Sequence, residues 1–282
     1  MAVRIVTDTS AEYTVAERKK LQITVVPMTL TYGTESFMDG CEIDKSTFYH
    51  RLIEKKEIPV TSQPSPEQFL QVFEQAKEAK DSVVVILISG VLSGTLQSAV
   101  LAKQICGYEE IYIVDSMNAT AGQRILVDEA AKLAVQGKSA GEIAAQLDEL
   151  KKRIRVTAVV DTLEYLYKGG RLSRAEAGLG TLANIKPVVK INEEGKVVVS
   201  AKGIGRKRAC RLLLEAVKEM DVDQEYPVYY LYSAEEANCE NFRAELEKSM
   251  VFEHCEGMLE IGATIGTHIG GGAFGIALVV KQ

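Results

Sequence analysis

Two short loops rich in hydroxyl groups are the features of this sequence best suited to chemistry. Thr61-Ser62 stands just before one predicted helix, and Ser93-Gly94-Thr95 stands before another. A helix N-terminus presents unpaired N–H groups and a partial positive charge, so hydroxyls beside it suit a phosphate or a carboxylate. The same residue types are also common helix caps. The residues alone therefore leave an anion site and a simple cap both open.

Ser93 also has to be considered as a nucleophile. The nucleophile elbow of hydrolases places glycines two residues before and two residues after the serine. Here Gly90 lies three residues before Ser93 and Gly94 one residue after it, so the pattern fails. The candidate general bases are the three histidines, His50, His254 and His268. A serine hydrolase is an alternative without motif support.

His268 lies in the glycine-rich run "GTHIGGGAFG", where the backbone can approach a ligand closely. A lone histidine is also common as a structural residue. Gly270, Gly272 and Gly275 formally match G-x-G-x-x-G, but the motif requires a preceding strand and this run precedes one. The phosphate-binding pattern G-x-x-x-x-G-K-[ST] is absent. The sequence therefore predicts no nucleotide site.

Two basic clusters stand beside glycines, "KGGRLSR" at 168–174 and "GIGRKRAC" at 203–210. Their ordinary explanation is turns with solvated charges, and the alternative is contacts to an acidic ligand or partner. In the second case Arg171 and Arg206 are the candidates, because arginine binds carboxylate and phosphate oxygens with two parallel donors. No cluster of metal ligands is recognised, and we predict neither a metal nor another cofactor.

Composition limits the classes of partner and compartment. The chain has 282 residues, 46% of them hydrophobic, and a net charge of −6, which disfavours nucleic acid as a partner. The five cysteines form no C-x-x-C pair, as expected in a reducing compartment. The N-terminus lacks the order of a signal peptide, and no apolar run is long enough to span a bilayer. These features predict a cytoplasmic protein.

The elements that position these residues alternate between strand and helix. "SVVVILIS" at 82–89 has no polar alternation, which is typical of a strand covered on both faces in a parallel sheet. Capping boxes are predicted at Ser65/Gln68 and Ser139/Glu142. We predict an α/β fold of two domains: a parallel-sheet, Rossmann-like domain over 1–153 and a mixed-sheet α+β domain over 154–282. The second begins with "RVTAVVD" and contains the hairpin "IKPVVKI-NEEG-KVVVSAK".

Seven motifs occur in order over nearly the whole chain: "TDTS", "TSQPSP", "SGVLSGTLQSA", "VDSMNATAGQ", "DTLEYLYKGGRLS", "IKPVVKINEEGKV" and "IGTHIGGGAFGI". In these motifs the sequence resembles the DegV family of bacterial fatty-acid-binding proteins. It departs from the family at two points. Where the family often has His-x-Gly-Pro-Gly, this chain has His268-Ile269-Gly270-Gly271-Gly272. Where the family often has two consecutive serines, this chain has Ser89-Gly90.

The resemblance implies a two-domain protein that buries one long-chain fatty acid, such as palmitate or oleate, between or within its domains. It implies that the acyl chain runs into an apolar tunnel. The residues that would hold the carboxylate lie in the two hydroxyl loops and at His268. They are Thr61, Ser62, Ser93, Gly94, Thr95 and His268.

Some members of the family are binding subunits of a fatty acid kinase, a role in which the protein is not itself an enzyme. They present the carboxylate to a separate ATP-using subunit, and Arg171 and Arg206 are the candidates to face that partner or its phosphate. A transient membrane contact is compatible with such a carrier. The alternatives left open are a lipid-sensing regulatory protein, a serine hydrolase and a small-molecule kinase.

Overall fold

The computed structural model describes residues 2–173 and 184–282. The stretch of small residues that the sequence shows between them, at 174–183, lies outside the described residues. In the first part of the chain the strands are β1 (Val3–Asp8), β2 (Ile23–Val26), β3 (Thr29–Tyr32), β4 (Glu35–Met38), β5 (Val60–Ser62), β6 (Ser82–Leu87) and β7 (Ile111–Asp115). Its helices are α1 (Val15–Leu21), α2 (Lys45–Ile53), α3 (Pro66–Ala79), α4 (Thr95–Cys106), α5 (Thr120–Val135) and α6 (Ala140–Leu150).

Four of these strands form a parallel sheet in the order β2-β1-β6-β7. Every residue of β6 is buried, as its unbroken apolar run predicts. The order reverses between β1 and β6, and the loops that follow the carboxyl ends of such strands are where open α/β sheets bind ligands. The Ser93 loop is the loop that follows β6.

The helix starts follow from local sequence. Gln68 accepts the backbone N–H of Ser65 at 2.8 Å, and Ser139 accepts the backbone N–H of Glu142 at 3.3 Å. Both predicted capping boxes are confirmed. The remaining strands of this part, β3, β4 and β5, form a separate antiparallel sheet in the order β4-β3-β5, and this sheet carries Thr61.

The second part of the chain forms a mixed sheet of six strands. They are β8 (Ile154–Val159), β9 (Ile185–Ile191), β10 (Val197–Ile204), β11 (Val228–Tyr232), β12 (Cys255–Glu260) and β13 (Phe274–Val279), in the order β10-β9-β8-β13-β11-β12. All neighbours are antiparallel except β11 and β12. The predicted hairpin is confirmed as β9 and β10, with the Asn192 side chain accepting the N–H groups of Glu194 and Lys196 in the turn.

The described residues of this part form four further helices: α7 (Glu164–Lys168), α8 (Arg206–Lys218), α9 (Glu236–Leu246) and α10 (Ala263–Ile269). One apolar core joins the two sheets. It contains residues of β1 and β6, of α5 and α6, and of β8, β11 and β13. The α/β fold with one parallel and one mixed sheet is confirmed. The domain boundary at 153/154 stays a prediction, although the first strand of the six-stranded sheet begins at Ile154.

Among residues 2–173 and 184–282, no helix has both the length and the apolar character needed to cross a membrane.

Candidate functional site

A cavity of about 380 Å³ lies between the two parts of the fold. Its wall is shared by the loops after β5 and β6, the start of α5, strands β8 to β11, and helix α10. Most of the lining is apolar: Met28, Ile88, Leu92, Ala119, Val156, Ala158, Val160, Leu166, Val189, Ile191, Val197, Leu231, Ile261, Ile265 and Ile269. Polar side chains gather at Thr61, Ser62, Gln63, Ser93, Arg171 and His268. This size and this mixture are typical of a small-molecule site.

The centre of the polar group is a contact between Thr61 and His268, which are far apart in sequence. Oγ1 of Thr61 lies 3.0 Å from Nε2 of His268. The ring can take this position because residue 169 has no side chain: a Cβ on Gly169 would lie 2.0 Å from Nδ1 of His268. Nδ1 itself is buried and has no hydrogen-bond partner in the described part of the chain. The histidine is therefore held at one nitrogen only.

The surroundings keep His268 neutral. Burial, with a smaller contribution from the positive charge of Arg171, lowers the pKa of His268 from 6.5 to about 4. At neutral pH the ring has one nitrogen that donates a hydrogen bond and one that accepts, but it carries no charge toward an anion. Any positive charge at this end of the cavity must come from another side chain.

Arg171 lies where it can supply that charge. It lines the cavity and is half-buried, and within the described residues its guanidinium meets no carboxylate. Nε donates to the carbonyl of Leu92 at 2.9 Å, and Nη1 donates to the carbonyl of Gly169 at 2.5 Å. These bonds fix the guanidinium beside the β6–α4 loop and close to His268. The predicted candidate Arg171 thus joins the same site as the hydroxyl loops.

Ser93 stands at the entrance to α4. Its Oγ lies 2.8 Å from Oγ1 of Thr95, which is fully buried and does not line the cavity. The N-cap of α4 is Gly94, which offers no side-chain cap. Each hydroxyl loop precedes one helix. The N-terminus of α3 is capped by its capping box, whereas the N-cap residue of α4 provides no side-chain cap.

The two hydroxyl loops are in direct contact. A Cβ on Gly94 would lie 2.0 Å from Oε1 of Gln63, so the Gln63 side chain packs on the bare backbone of Gly94. Nε2 of Gln63 also donates to Oγ of Ser98 on α4 at 3.0 Å. Ser62 is exposed at the rim of the cavity. The structure therefore places Thr61, Ser62 and Ser93 at one cavity. Gly94 and Thr95 do not line it; Gly94 packs against Gln63, and Thr95 contacts Ser93.

Arg206, the other basic candidate, does not line the cavity. Nη2 contacts Oδ1 of Asp161 at 3.0 Å, and Nη1 contacts Glu235 at 3.4 Å and Asn238 at 3.0 Å. Its side chain is 41% exposed. The guanidinium is already paired with carboxylates of its own chain, and its role toward a partner stays a prediction.

Sequence reasoning missed the residues that hold the helix of His268. At the N-terminal end of α10, Glu12 accepts the N–H of Gly262 at 2.7 Å and Asp39 accepts the N–H of Thr264 at 3.1 Å. Both carboxylates are buried, and burial raises the pKa of Glu12 to about 7. Glu12 has φ +65°, which is rare for a residue with a side chain, but no sequence pattern marks it.

Comparison with known proteins agrees with this architecture. Residues 2–281 match the family model described as "Uncharacterised protein, DegV family". A DegV domain-containing protein of Caldanaerobacter subterraneus is 35% identical over 97% of this chain and 97% of its own length. A DegV family protein from Thermus thermophilus, whose structure is described as showing fatty acid binding, superposes with a TM-score of 0.89 at 33% identity, over 100% of both chains.

A second solved structure is of DegV from Bacillus subtilis, described as a fatty acid binding protein. It superposes with a TM-score of 0.86 at 29% identity, over 100% of both chains. The family model covers nearly every residue of this chain, and the likeness in sequence and fold extends over the same length. The chain belongs to the DegV family.

Proposed function

We propose that this protein is a carrier that binds one long-chain fatty acid, such as palmitate or oleate. The observation that carries the proposal is the cavity, with its long apolar wall and a polar group at Thr61, Ser93 and His268. The carboxylate would accept hydrogen bonds at this polar end, and Arg171 would supply the positive charge that neutral His268 lacks. The fatty acid binding described for the solved structures of Thermus thermophilus and Bacillus subtilis supports this assignment.

The apolar wall accounts for most of the affinity in this proposal. Each methylene removed from water contributes about 0.8 kcal/mol, so a palmitoyl chain gains on the order of 10 kcal/mol before the costs of ordering. The polar end then sets the orientation of the carboxylate more than the total affinity.

The geometry favours a carrier over a hydrolase. The hydrogen-bond partner of the Ser93 hydroxyl is Thr95, while His268 bonds Thr61. A histidine with a pKa of about 4 is also a weak general base at neutral pH. In this proposal Ser93 positions the head group and is not a nucleophile.

We further propose that the bound fatty acid is presented to a separate kinase subunit in the cytoplasm. The sequence has no phosphate-binding nucleotide motif, so in this proposal a partner protein would bind the ATP. The partner would meet the protein at the polar end of the cavity, where Arg171 and the exposed Ser62 lie. A carrier of this kind would load its lipid during a transient contact with a membrane.

The carrier proposal is tested by the small molecule that the purified protein contains. Extraction with organic solvent followed by mass spectrometry should recover close to one long-chain fatty acid per chain, directly or after incubation with palmitate. Failure to recover fatty acid after incubation would contradict the proposal. The kinase proposal is tested separately, by trapping acyl-phosphate as hydroxamate when loaded protein, ATP and a fatty acid kinase ATP-binding subunit are combined. No hydroxamate above the level given by the kinase subunit alone would contradict it.

A further inference from the structure

One further hydroxyl group of the cavity wall lies outside the two hydroxyl loops. Thr120 lines the cavity as the first residue of α5 and is 5% exposed. Its Oγ1 is buried and lacks a hydrogen-bond partner within the described part of the chain. A buried hydroxyl without a hydrogen-bond partner destabilises the folded protein, so its presence in this wall requires an explanation.

Three other hydroxyls of the wall, two of them partly buried and one buried, do have partners. Thr61 bonds His268, Ser93 bonds Thr95, and Oγ1 of Thr264 donates to Asp39 at 2.6 Å. Thr120 differs from them in this respect and also in its backbone. Its φ of +52° is an outlier for a β-branched residue, which shows that the surrounding structure forces this conformation.

The chemistry around Thr120 points to a neutral oxygen group. The residues on either side of it in sequence are Ala119 and Ala121, and neither carries a polar side chain. The N-cap of α5 is Ala119, so the start of this 16-residue helix has no side-chain cap. The charged side chains among the lining residues are Arg171, which bonds the Leu92 carbonyl, and Lys190, which is exposed. A second carboxylate at Thr120 would have no counter-charge, whereas a hydroxyl or keto oxygen could exchange a hydrogen bond with it.

We propose that Thr120 and the start of α5 form a second polar subsite, and that the protein accepts long-chain fatty acids that carry a hydroxyl or keto group on the acyl chain. The inference rests on the proposed fatty acid binding and adds the class of substituted chain. The oxygenated chain supplies the partner that the Thr120 hydroxyl lacks, and an unsubstituted chain leaves it unpaired.

The test compares stearate with 3-hydroxystearate and 10-hydroxystearate, which place the hydroxyl close to the carboxylate and at mid-chain. Dissociation constants are measured by calorimetry on delipidated full-length protein. We expect at least one hydroxystearate to bind about fivefold more tightly than stearate, the contribution of one net hydrogen bond. Thr120→Val keeps the shape and removes the hydroxyl, so it should reverse this order. Stearate should then bind a few-fold more tightly than to the wild type, and the hydroxystearate more weakly.

Thr120→Ser is the matched control, because it keeps the hydroxyl and should keep the preference of the wild type. Equal changes in the affinities of stearate and hydroxystearate in Thr120→Val would overturn the inference. A rise in affinity for both lipids would mean that the subsite holds water. A fall in affinity for both would place Thr120 in the carboxylate site. Binding of stearate without any preference would also overturn it and leave the carrier proposal intact. Failure to bind either lipid would overturn the carrier proposal itself.

Discussion

The polar end of the cavity and its apolar body are built in different ways. Thr61 lies on strand β5, Ser93 in the loop after β6 and His268 on helix α10, far apart in sequence. The link between Thr61 and His268 is a single contact between Oγ1 and Nε2. The apolar body comes mainly from strands β8, β9, β10 and β11 of one sheet and from helix α10, and loops of the first part of the fold complete it. The first depends on single contacts and the second on accumulated area. Their responses to mutation should therefore differ in kind.

The largest effect should come from filling the apolar body. Ala158 lies on β8 and lines the cavity, so Ala158→Phe would occupy space that about four methylenes of the ligand need. At about 0.8 kcal/mol per methylene, affinity for palmitate should fall roughly 200-fold. The measurement is palmitate content after loading. Val135→Phe is the control, because Val135 is 89% exposed at the end of α5 and should keep full content. Normal palmitate binding by Ala158→Phe would show that the acyl chain lies elsewhere.

The next largest effect on palmitate affinity should distinguish Arg171 from Arg206, which have similar sequence surroundings. Arg171→Ala removes a positive charge at the polar end, and we expect palmitate affinity to fall about tenfold. Affinity for hexadecanol, which has no charge, should stay within about twofold. Arg206→Ala is the matched control, since Arg206 is paired with Asp161 and Glu235 outside the cavity. Equal losses for palmitate and hexadecanol would mean that Arg171 supports the wall and does not bind the carboxylate.

A smaller effect on binding, with a larger one on presentation, is expected for Ser93→Ala. The acyl chain should keep palmitate content within about twofold of the wild type, while acyl-phosphate formed with the kinase subunit falls about tenfold. Ser98→Ala is the control, because Ser98 lies on the same helix and bonds Gln63 but does not line the cavity. Unchanged acyl-phosphate formation in Ser93→Ala would contradict a head-group role for this residue.

The same contrast explains how far the sequence could predict the molecule. Strand β6, the capping box at Ser65/Gln68 and the β9–β10 hairpin depend on neighbouring residues, so local patterns predicted them correctly. The hydroxyl loops and His268 were named as candidates, but their contact depends on chain segments that only the complete fold brings together. Gly169 illustrates this: the "KGG" run reads as a helix end, and its second function, making room for the His268 ring, appears only in three dimensions.

The smallest effect is a pH dependence, and it tests whether the polar end is held uncharged. Between pH 6.5 and about 4 the unfolded chain takes up a proton at His268 and the folded chain does not, because the folded pKa is about 4. The free energy of unfolding should therefore decrease as the pH falls through this range. His268→Gln lacks this proton uptake. The stability of the wild type relative to His268→Gln should fall steadily from pH 7 to pH 4 in urea titrations.

A bound carboxylate beside His268 would favour its charged form and raise its pKa. With saturating palmitate, the decline in relative stability should begin at the same pH, because the unfolded chain sets its start. It should level off at a higher pH and be smaller in total than in the lipid-free protein, because the folded pKa is raised. Hexadecanol provides the uncharged control and should leave the profile as it is without lipid. The same profile with palmitate as with hexadecanol would place the carboxylate away from His268, and a relative stability independent of pH would show that the ring is not held neutral.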